Sequence, residues 1–228
     1  MPPVFWRVAT FVVRAFKRFD FTSFFDIYMT AHTSVCSLAR VATYRVRNFN
    51  LVISRGSVVD FAHNTQSSAI VNAANEGCLG GGGVDGAIGD AGGPALLEDR
   101  MNLPQLEPGM RCRTGSAVIT GPNSYGSLSV PYVIHAVGPN YMQYDDTEEE
   151  IAQGDELLSS AYTTSLECGK NQNIEAIAFA LLSAGIFRGK RSVDEVLRSG
   201  IDAIVNLMDI LHCKRSTCVR LIKRRQRP

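Results

Sequence analysis

Residues 69–75 read AIVNAAN, and residues 80–86 read GGGGVDG. The first segment predicts a buried strand that ends in asparagines, and the second places four glycines before an aspartate and a helix start. Each glycine loses much backbone entropy on folding, so such a run is costly unless something compensates. Glycine lets a backbone approach a ligand closely, and a helix N-terminus offers free N–H groups and a positive dipole end. The two segments therefore predict a phosphate-binding loop, with Asn75 able to bond a sugar hydroxyl.

A second glycine-containing loop lies further along the chain. Residues 182–189 read LSAGIFRG and directly follow the apolar run 174–181, which has the length of a strand. Two such loops from different strands can clamp a diphosphate between them. Phe187 would then offer an apolar face to a sugar ring.

Strands and helices alternate from Leu51 onward. Strands are predicted at residues 51–54, 69–71, 116–119, 132–136 and 174–181, and helices from about Val84, over 148–169 and after Ser192. Ser192 and Glu195 form an S-x-x-E capping box, which marks the start of the last helix. This alternation predicts an α/β sheet covered by helices. In such sheets ligands bind beyond the carboxyl ends of the strands, where both glycine loops lie.

Composition excludes several classes of protein. The chain has 228 residues, 45% apolar content and a formal net charge of +1, which fits one sizeable domain with extensions and gives no strong attraction to nucleic acid. The six cysteines are scattered without a CxxC pair, so neither a disulfide framework nor a metal site is predicted. His212, Cys213 and Cys218 lack the second ligand pair of a structural zinc site. No apolar run is long and charge-free enough to span a membrane.

The two ends differ from the middle. Apolar residues recur at helical spacing near the N-terminus, where arginines share another face: Phe5, Val8, Phe11, Val12, Ala15, Phe16 and Phe19. This pattern predicts a basic amphipathic helix, which suits a transit peptide or a membrane-surface helix, and an unstructured extension stays open. The predicted organisation is an extension over residues 1–48, a domain over 49–212 and a basic tail over 213–228. The chain would be mitochondrial if the extension is a transit peptide, and otherwise cytoplasmic or nuclear.

A dinucleotide-binding unit is the competing interpretation of the glycine run. Gly81, Gly83 and Gly86 match G-x-G-x-x-G, which is a weak signal alone. In that unit the glycines follow the strand at once, whereas residues 72–80 intervene here. The acidic residue required at the end of the next strand is also not evident.

Several segments together resemble the macrodomain family, specifically its mono-ADP-ribosyl hydrolase branch. They are residues 70–75 (IVNAAN), 79–88 (LGGGGVDGAI), 114–115 (TG), 132–139 (YVIHAVGP) and 183–187 (SAGIF). The resemblance covers about residues 51–205. It implies a three-layer α-β-α macrodomain with a mixed central sheet, which needs neither cofactor nor metal.

The resemblance also implies roles for individual residues. Asn75 and Asp85 are the expected catalytic residues, the former holding the distal ribose and the latter orienting or deprotonating a water. Substrate binding is expected from Ser57, Val58, Asn72, Gly82, Gly83, Val84, Ser183, Ala184, Gly185, Ile186 and Phe187. Asn72 can equally tie the strand end to the glycine loop, and His135, within a strand, is expected to be structural. Tyr141 and Tyr144 are expected to pack rather than to bind.

The sequence departs from the family pattern in three places. Ser57 stands where the family often has the aspartate that binds the adenine amine, and Gly89 stands where hydrolases often carry a histidine. The usual final strand is represented only by residues 217–222. These departures predict that adenine recognition is weaker, or depends on backbone and Ser57, and that position 89 gives no catalytic assistance.

The resemblance implies an enzyme that removes mono-ADP-ribose from protein carboxylate esters or deacetylates O-acetyl-ADP-ribose. Its partners would be ADP-ribose, mono-ADP-ribosylated proteins and O-acetyl-ADP-ribose, and the chain would act as a monomer. The alternative is a non-catalytic module that reads ADP-ribose, and a degraded, poorly folded copy is a third hypothesis.

Overall fold

One mixed sheet organises the molecule. The computed structural model describes residues 9–15, 38–46, 49–63, 66–210 and 219–221. Its strands are β1 (Ala9–Ala15), β2 (Ala39–Val46), β3 (Phe49–Arg55), β4 (Ser68–Ala73), β5 (Ala117–Thr120), β6 (Tyr132–Ala136), β7 (Ala176–Ala180) and β8 (Val219–Leu221). Its helices are α1 (Gly83–Met101), α2 (Glu148–Asn171) and α3 (Val193–Ile210).

The strand order places three parallel strands side by side. The order is β2-β3-β8-β1-β7-β4-β6-β5, and β1 also pairs directly with β3. β4 runs parallel to β6 and β7, whereas β5 is antiparallel to β6. The carboxyl ends of β4, β6 and β7 therefore meet at one edge of the sheet. The mixed, helix-flanked sheet confirms the predicted α/β fold class.

The central strands form the core because both of their faces are covered. Every residue of β7 and all but the last residue of β4 are buried, which explains the continuous apolar sequence of β7 and the apolar residues 69–71 within β4. α2 and α3 contact each other and contribute the fully buried Tyr162, Val196 and Ile204. The capping box is confirmed, since Ser192 N–H donates to Glu195 Oε2 (2.7 Å) and Glu195 N–H donates to Ser192 Oγ (3.1 Å).

α1 is broken in its middle. Gly93 has φ 63° and ψ −158°, and Pro94 follows it inside the helix. Proline removes a helical hydrogen bond and clashes with the preceding turn, so the axis cannot continue straight. Asp85 and Arg100 would lie about 22 Å apart along a straight helix, yet their side chains form an ion pair. The break therefore brings the two ends of α1 together.

The prediction of a helix near the N-terminus is wrong for residues 9–15, which form the strand β1. β1 pairs antiparallel with β3 from Ala9 opposite Arg55 to Ala15 opposite Phe49, and it also pairs with β7. The segment ATFVVRA is rich in β-branched and aromatic residues, which favour strands, and a short apolar run fits either period. The rest of the predicted helix, residues 5–8 and 16–19, lies outside the described residues.

The sheet includes strands from beyond the predicted 49–212 segment. β2 pairs antiparallel with β3, and β8, within the strand predicted at 217–222, pairs with β1 and β3. Among the residues that the structure describes, no helix combines the length and apolar character needed to cross a membrane.

Candidate ligand-binding site

The candidate site lies at the sheet edge where β4, β6 and β7 end. The glycine loop, residues 80–83, connects β4 to α1, and the second loop, residues 183–189, follows β7. The turn after β6 lies against the second loop, because Ser183 Oγ donates to Pro139 O at 2.7 Å. The strand order thus brings together the two glycine-containing loops that the sequence singled out.

Asn75 braces the turn that leads into the glycine loop. Its Nδ2 donates to Gly80 O at 2.9 Å, and its Oδ1 accepts from the N–H groups of Gly77 (3.1 Å) and Cys78 (3.2 Å). Both polar atoms of the amide are therefore engaged by backbone in this arrangement. A sugar hydroxyl that binds Asn75 must share or replace one of these bonds.

Gly82 and Gly83 leave open space beside the backbone. A Cβ at either position would meet no atom of the described residues within 4 Å. Gly83 has φ 66°, a conformation that favours glycine, but Gly82 has φ −88°, which any residue adopts. Gly82 is also the N-cap of α1 without any capping side chain. Folding alone therefore does not explain the glycine at 82, and the first N–H groups of α1 remain accessible to an anion.

The Asp85 carboxylate is buried, and its partners contact one of its two oxygens. Its Oδ1 accepts from Asn72 Nδ2 at 2.8 Å and lies 3.1 Å from Arg100 Nη2. Oδ2 has no hydrogen-bond partner among the described residues. It faces the glycine loop, because a Cβ at Gly81 would lie 3.2 Å from it. Asp85 is only 3% exposed, so this free oxygen is covered by the loop.

Asn72 and His135 support Asp85 from below. Asn72 is fully buried, and its Nδ2 lies 3.3 Å from His135 Nδ1 on the neighbouring strand. His135 Nε2 lies 3.1 Å from Thr120 Oγ1, whose own hydroxyl donates to Val133 O. Burial, and secondarily the Arg100 cation, lower the pKa of His135 well below its usual range. A neutral His135 with its proton on Nε2 accepts from Asn72 and donates to Thr120, so it has the structural role expected of it.

The second loop packs closely against the turn after β6 at Ser183, and its later residues are at least partly exposed. Ser183 has φ 49°, and Gly138 leaves no room for a side chain, since a Cβ there would lie 2.3 Å from Ser183 Oγ. Gly185 is exposed with open space beside it, Ile186 is 78% exposed, and Ala184 and Phe187 are half-buried. The predicted binding residues of this loop therefore offer both open backbone and apolar surface.

A cavity of about 440 Å³ adjoins the second loop. It is lined by Tyr141, Met142, Tyr144, Asp146, Gly185, Ile186, Gly189 and Lys190. Tyr141 is buried, its hydroxyl bonds Asp155, and Arg191 lies over its ring and pairs with the same carboxylate at 2.8 Å. Tyr141 thus has the packing role expected of it, and it also lines the cavity.

Two predicted binding residues lie at the start of a short 3-10 turn, Val58–Asp60, that contacts α1. Val58 is fully buried in the core, so only its backbone can meet a ligand. Ser57 is partly exposed and precedes the turn, but its hydroxyl makes no capping bond to it. The adenine-binding role of Ser57 stays a prediction.

Arg100 is one of two site residues that the sequence pattern did not single out. It is 2% exposed and follows the buried Leu96 by four positions, so both lie on the inward face of the second half of α1. The signal in the sequence is that a charged residue stands at a position where the helical period predicts an apolar one. Glu76 was also missed; its Oε1 accepts from the N–H (3.0 Å) and hydroxyl (2.9 Å) of Thr114 and so ties the first turn to the loop before β5.

No group of metal-ligating side chains occurs in the part of the chain that the structure describes. His212, Cys213 and Cys218 lie outside it. The described polar residues of the site are instead hydrogen-bond donors, acceptors and one buried ion pair. Their chemistry suits a phosphate and a sugar rather than a cation.

Comparison with known proteins identifies the family. The family model described as Macro domain matches residues 71–198. A macro domain-containing protein of Caldanaerobacter subterraneus is 44% identical over 133 residues, which cover 58% of this chain and 67% of the relative. O-acetyl-ADP-ribose deacetylase 1 of Pantoea vagans is 42% identical over 121 residues, covering 53% of this chain and 64% of the relative.

A solved structure shows the same architecture. The Oceanobacillus iheyensis macrodomain with ADP aligns with a TM-score of 0.60 and 30% identity, over 75% of this chain and 83% of that one. The match of the family model over more than half of the chain agrees with the glycine loop, the sheet and the second loop described above. This chain belongs to the macro domain family.

Proposed function

We propose that the chain binds ADP-ribose across the two glycine-containing loops. The observation that carries this proposal is the open N-terminus of α1, where Gly82 has no conformational need to be glycine and no side chain of the described residues caps the helix. A phosphate accepts hydrogen bonds from such N–H groups and complements the helix dipole. A related macrodomain is known with ADP, which supports a diphosphate at this position.

The second loop supplies the opposite side of the clamp. Gly185 offers open backbone, and Phe187 is half-exposed beside it. The diphosphate would lie between the loops, with the distal ribose near Asn75, Asp85 and Phe187. Ser57 and the backbone of Val58 would face the adenine.

We further propose that the chain hydrolyses esters of ADP-ribose, either mono-ADP-ribosylated protein carboxylates or O-acetyl-ADP-ribose. Water adds to the acyl carbon, the acyl C–O bond to the ribose breaks, and the ribose oxygen takes the proton. Asp85 would orient or deprotonate that water through Oδ2, the oxygen that its buried partners leave free. Two relatives named O-acetyl-ADP-ribose deacetylase support this chemistry.

This reaction requires the glycine loop to shift when substrate binds. Asp85 Oδ2 is covered by the loop, and Asn75 Nδ2 holds the loop through Gly80 O. A ribose hydroxyl that takes the place of Gly80 O on Asn75 would release the loop. Substrate binding and access of water to Asp85 would then be coupled.

A non-catalytic reader of ADP-ribose is the second candidate. The burial of Asp85, its ion pair with Arg100 and the glycine at position 89 favour this alternative. A reader needs the open backbone of the loops but no carboxylate that reaches water. The two candidates therefore differ in whether Asp85 ever meets the substrate.

Release of labelled ADP-ribose from a mono-ADP-ribosylated acceptor protein separates the candidates. We expect release by the wild type and about tenfold less, or lower, with Asp85→Asn, which keeps an oxygen for Asn72 and Arg100 but loses the base. Asp90→Asn, an exposed position on the same helix, is the matched control and should keep full activity. Binding without release by the wild type would establish the reader instead.

A further inference from the structure

The guanidinium of Arg100 fills the space beneath the glycine loop and beside Gly89. A Cβ at Gly80 or at Gly89 would each lie 3.7 Å from Arg100 Nη1. Gly89 has no side chain of its own to reach Asp85, one turn earlier on α1. The long side chain of Arg100 reaches this region from the second half of α1 because the helix breaks at Gly93.

The contacts of Arg100 are directed at Asp85. Its Nη2 lies 3.1 Å from Asp85 Oδ1, with both side chains almost completely buried. Nε and Nη2 both lack a hydrogen-bond partner among the described residues, so Nη2 meets Asp85 as an ion pair. Burying an ion pair with incomplete hydrogen bonding is unfavourable, and apolar side chains in place of both partners would often be at least as stable. Stability alone therefore gives a weak reason for a buried ion pair here.

Two groups at Oδ1 fix which oxygen of Asp85 is free. Asn72 donates a hydrogen bond to Oδ1 from β4, and the Arg100 cation lies 3.1 Å from the same oxygen, so Oδ2 is left toward the glycine loop. The attraction between the two charges is stronger in this buried setting than it would be in water. Removal of Arg100 would leave the hydrogen bond from Asn72 to hold Oδ1, and the carboxylate could rotate about its Cβ–Cγ bond.

We propose that Arg100 is the positioning residue of this site, which orients the Asp85 carboxylate so that Oδ2 faces the substrate water. Arg100 is too deeply buried to touch the substrate, so it acts through Asp85. This inference rests on the proposed hydrolase function. It predicts a selective effect of Arg100 on the chemical step, with little effect on ADP-ribose affinity.

The test compares Arg100→Met and Arg100→Lys in the full chain, with Arg113→Met as the matched control. Arg113 forms a 3.0 Å ion pair with Glu107, but both side chains are more than half exposed. Turnover is measured with a mono-ADP-ribosylated acceptor, and affinity is measured by calorimetry with ADP-ribose. We expect Arg100→Met to lower kcat about tenfold or more while the Kd for ADP-ribose changes less than about threefold. Arg100→Lys should recover part of the lost kcat, and Arg113→Met should change neither quantity.

The kcat and Kd of the Arg100 variants decide whether Arg100 has the positioning role. A folded Arg100→Met protein with kcat near that of the wild type, or with kcat and affinity falling in parallel, overturns the positioning role. If Arg100→Met does not fold, Arg100→Lys decides alone: a reduced kcat at unchanged Kd supports the role, whereas no change or a parallel loss contradicts it. A wild type that releases no ADP-ribose overturns the hydrolase proposal and the inference together, which distinguishes that failure from failure of the inference alone.

Discussion

The two loops of the site are held in place by different kinds of interaction. The glycine loop lies over a buried network of Asn72, Asp85 and Arg100, in which an ion pair is shielded from water. The second loop is held by the hydrogen bond from Ser183 to Pro139 and, just after the loop, by an ion pair between Arg191 and Asp155 that is partly open to solvent. Removing one partner of a buried ion pair lowers the stability of the protein much more than removing one partner of an exposed pair. The glycine loop should therefore depend on single side chains, whereas the second loop should tolerate their loss.

Asp85→Ala is the variant that should break this comparison most strongly. It leaves the Arg100 cation buried without its counter-ion, so we expect a loss of about 3–5 kcal/mol in the free energy of unfolding. Urea unfolding followed by circular dichroism measures this loss. Glu107→Ala is a surface control outside both loops: it removes one partner of the exposed pair with Arg113 and should cost less than about 1 kcal/mol. Equal losses in the two variants would show that the buried network contributes no more to stability than an exposed ion pair.

Gly82→Asp separates folding from ligand binding at the glycine loop. Aspartate is a favourable N-cap residue, so the variant should fold at least as stably as the wild type. Its carboxylate would occupy the N–H groups offered to phosphate and would repel the anion, so ADP-ribose affinity should fall more than about tenfold, or about 1.4 kcal/mol.

Gly82→Asn is the neutral control of similar size. Calorimetry should show a smaller loss of affinity for the asparagine than for the aspartate variant. Unchanged affinity in both variants would place the diphosphate elsewhere.

His135 should make the buried network sensitive to acid. The unfolded chain binds a proton near pH 6.5, but burial keeps His135 neutral in the folded state. Below about pH 6.5 the unfolded state therefore binds the extra proton, and stability falls as pH falls. Between about pH 7.5 and pH 5.5 this one group should remove about 1.4 kcal/mol from the free energy of unfolding.

His135→Gln tests that contribution by difference. The glutamine variant should show a shallower decline in stability over the same pH range, whatever its absolute stability. Parallel pH profiles for the two proteins would mean that His135 takes up its proton in the folded state as well.

The central strands could be predicted from the sequence because local signals and tertiary environment agree there. The observed β6, Tyr132–Ala136, has the predicted bounds, and β4 and β7 contain the buried apolar runs expected of parallel strands. β1 was mispredicted because its apolar residues fit a helix as well as a strand, and only pairing with β3 and β7 decides between them. Pairing between strands that are far apart in the sequence cannot be predicted from the spacing of apolar residues within one segment.

The positions of the loops were predictable, but the directions of their side chains were not. The glycine run and the helix start mark the loop, and the open space at Gly82 agrees with a ligand-facing backbone. Asn72 was predicted either to bind substrate or to tie the strand end to the glycine loop; its side chain is fully buried and contacts Asp85 and His135, a direction that the sequence alone does not give. Arg100 reaches Asp85 only because α1 breaks at Gly93, so its role depends on a backbone feature that residue spacing does not reveal.

Backbone amide NMR during a titration with ADP-ribose shows directly whether ADP-ribose binds between the two loops. We expect saturable binding, with the largest chemical-shift changes at residues 82–85 and 183–187 and smaller changes at residues 57 and 58. Saturable binding with changes confined to other parts of the sheet, or no saturable binding at all, would contradict it.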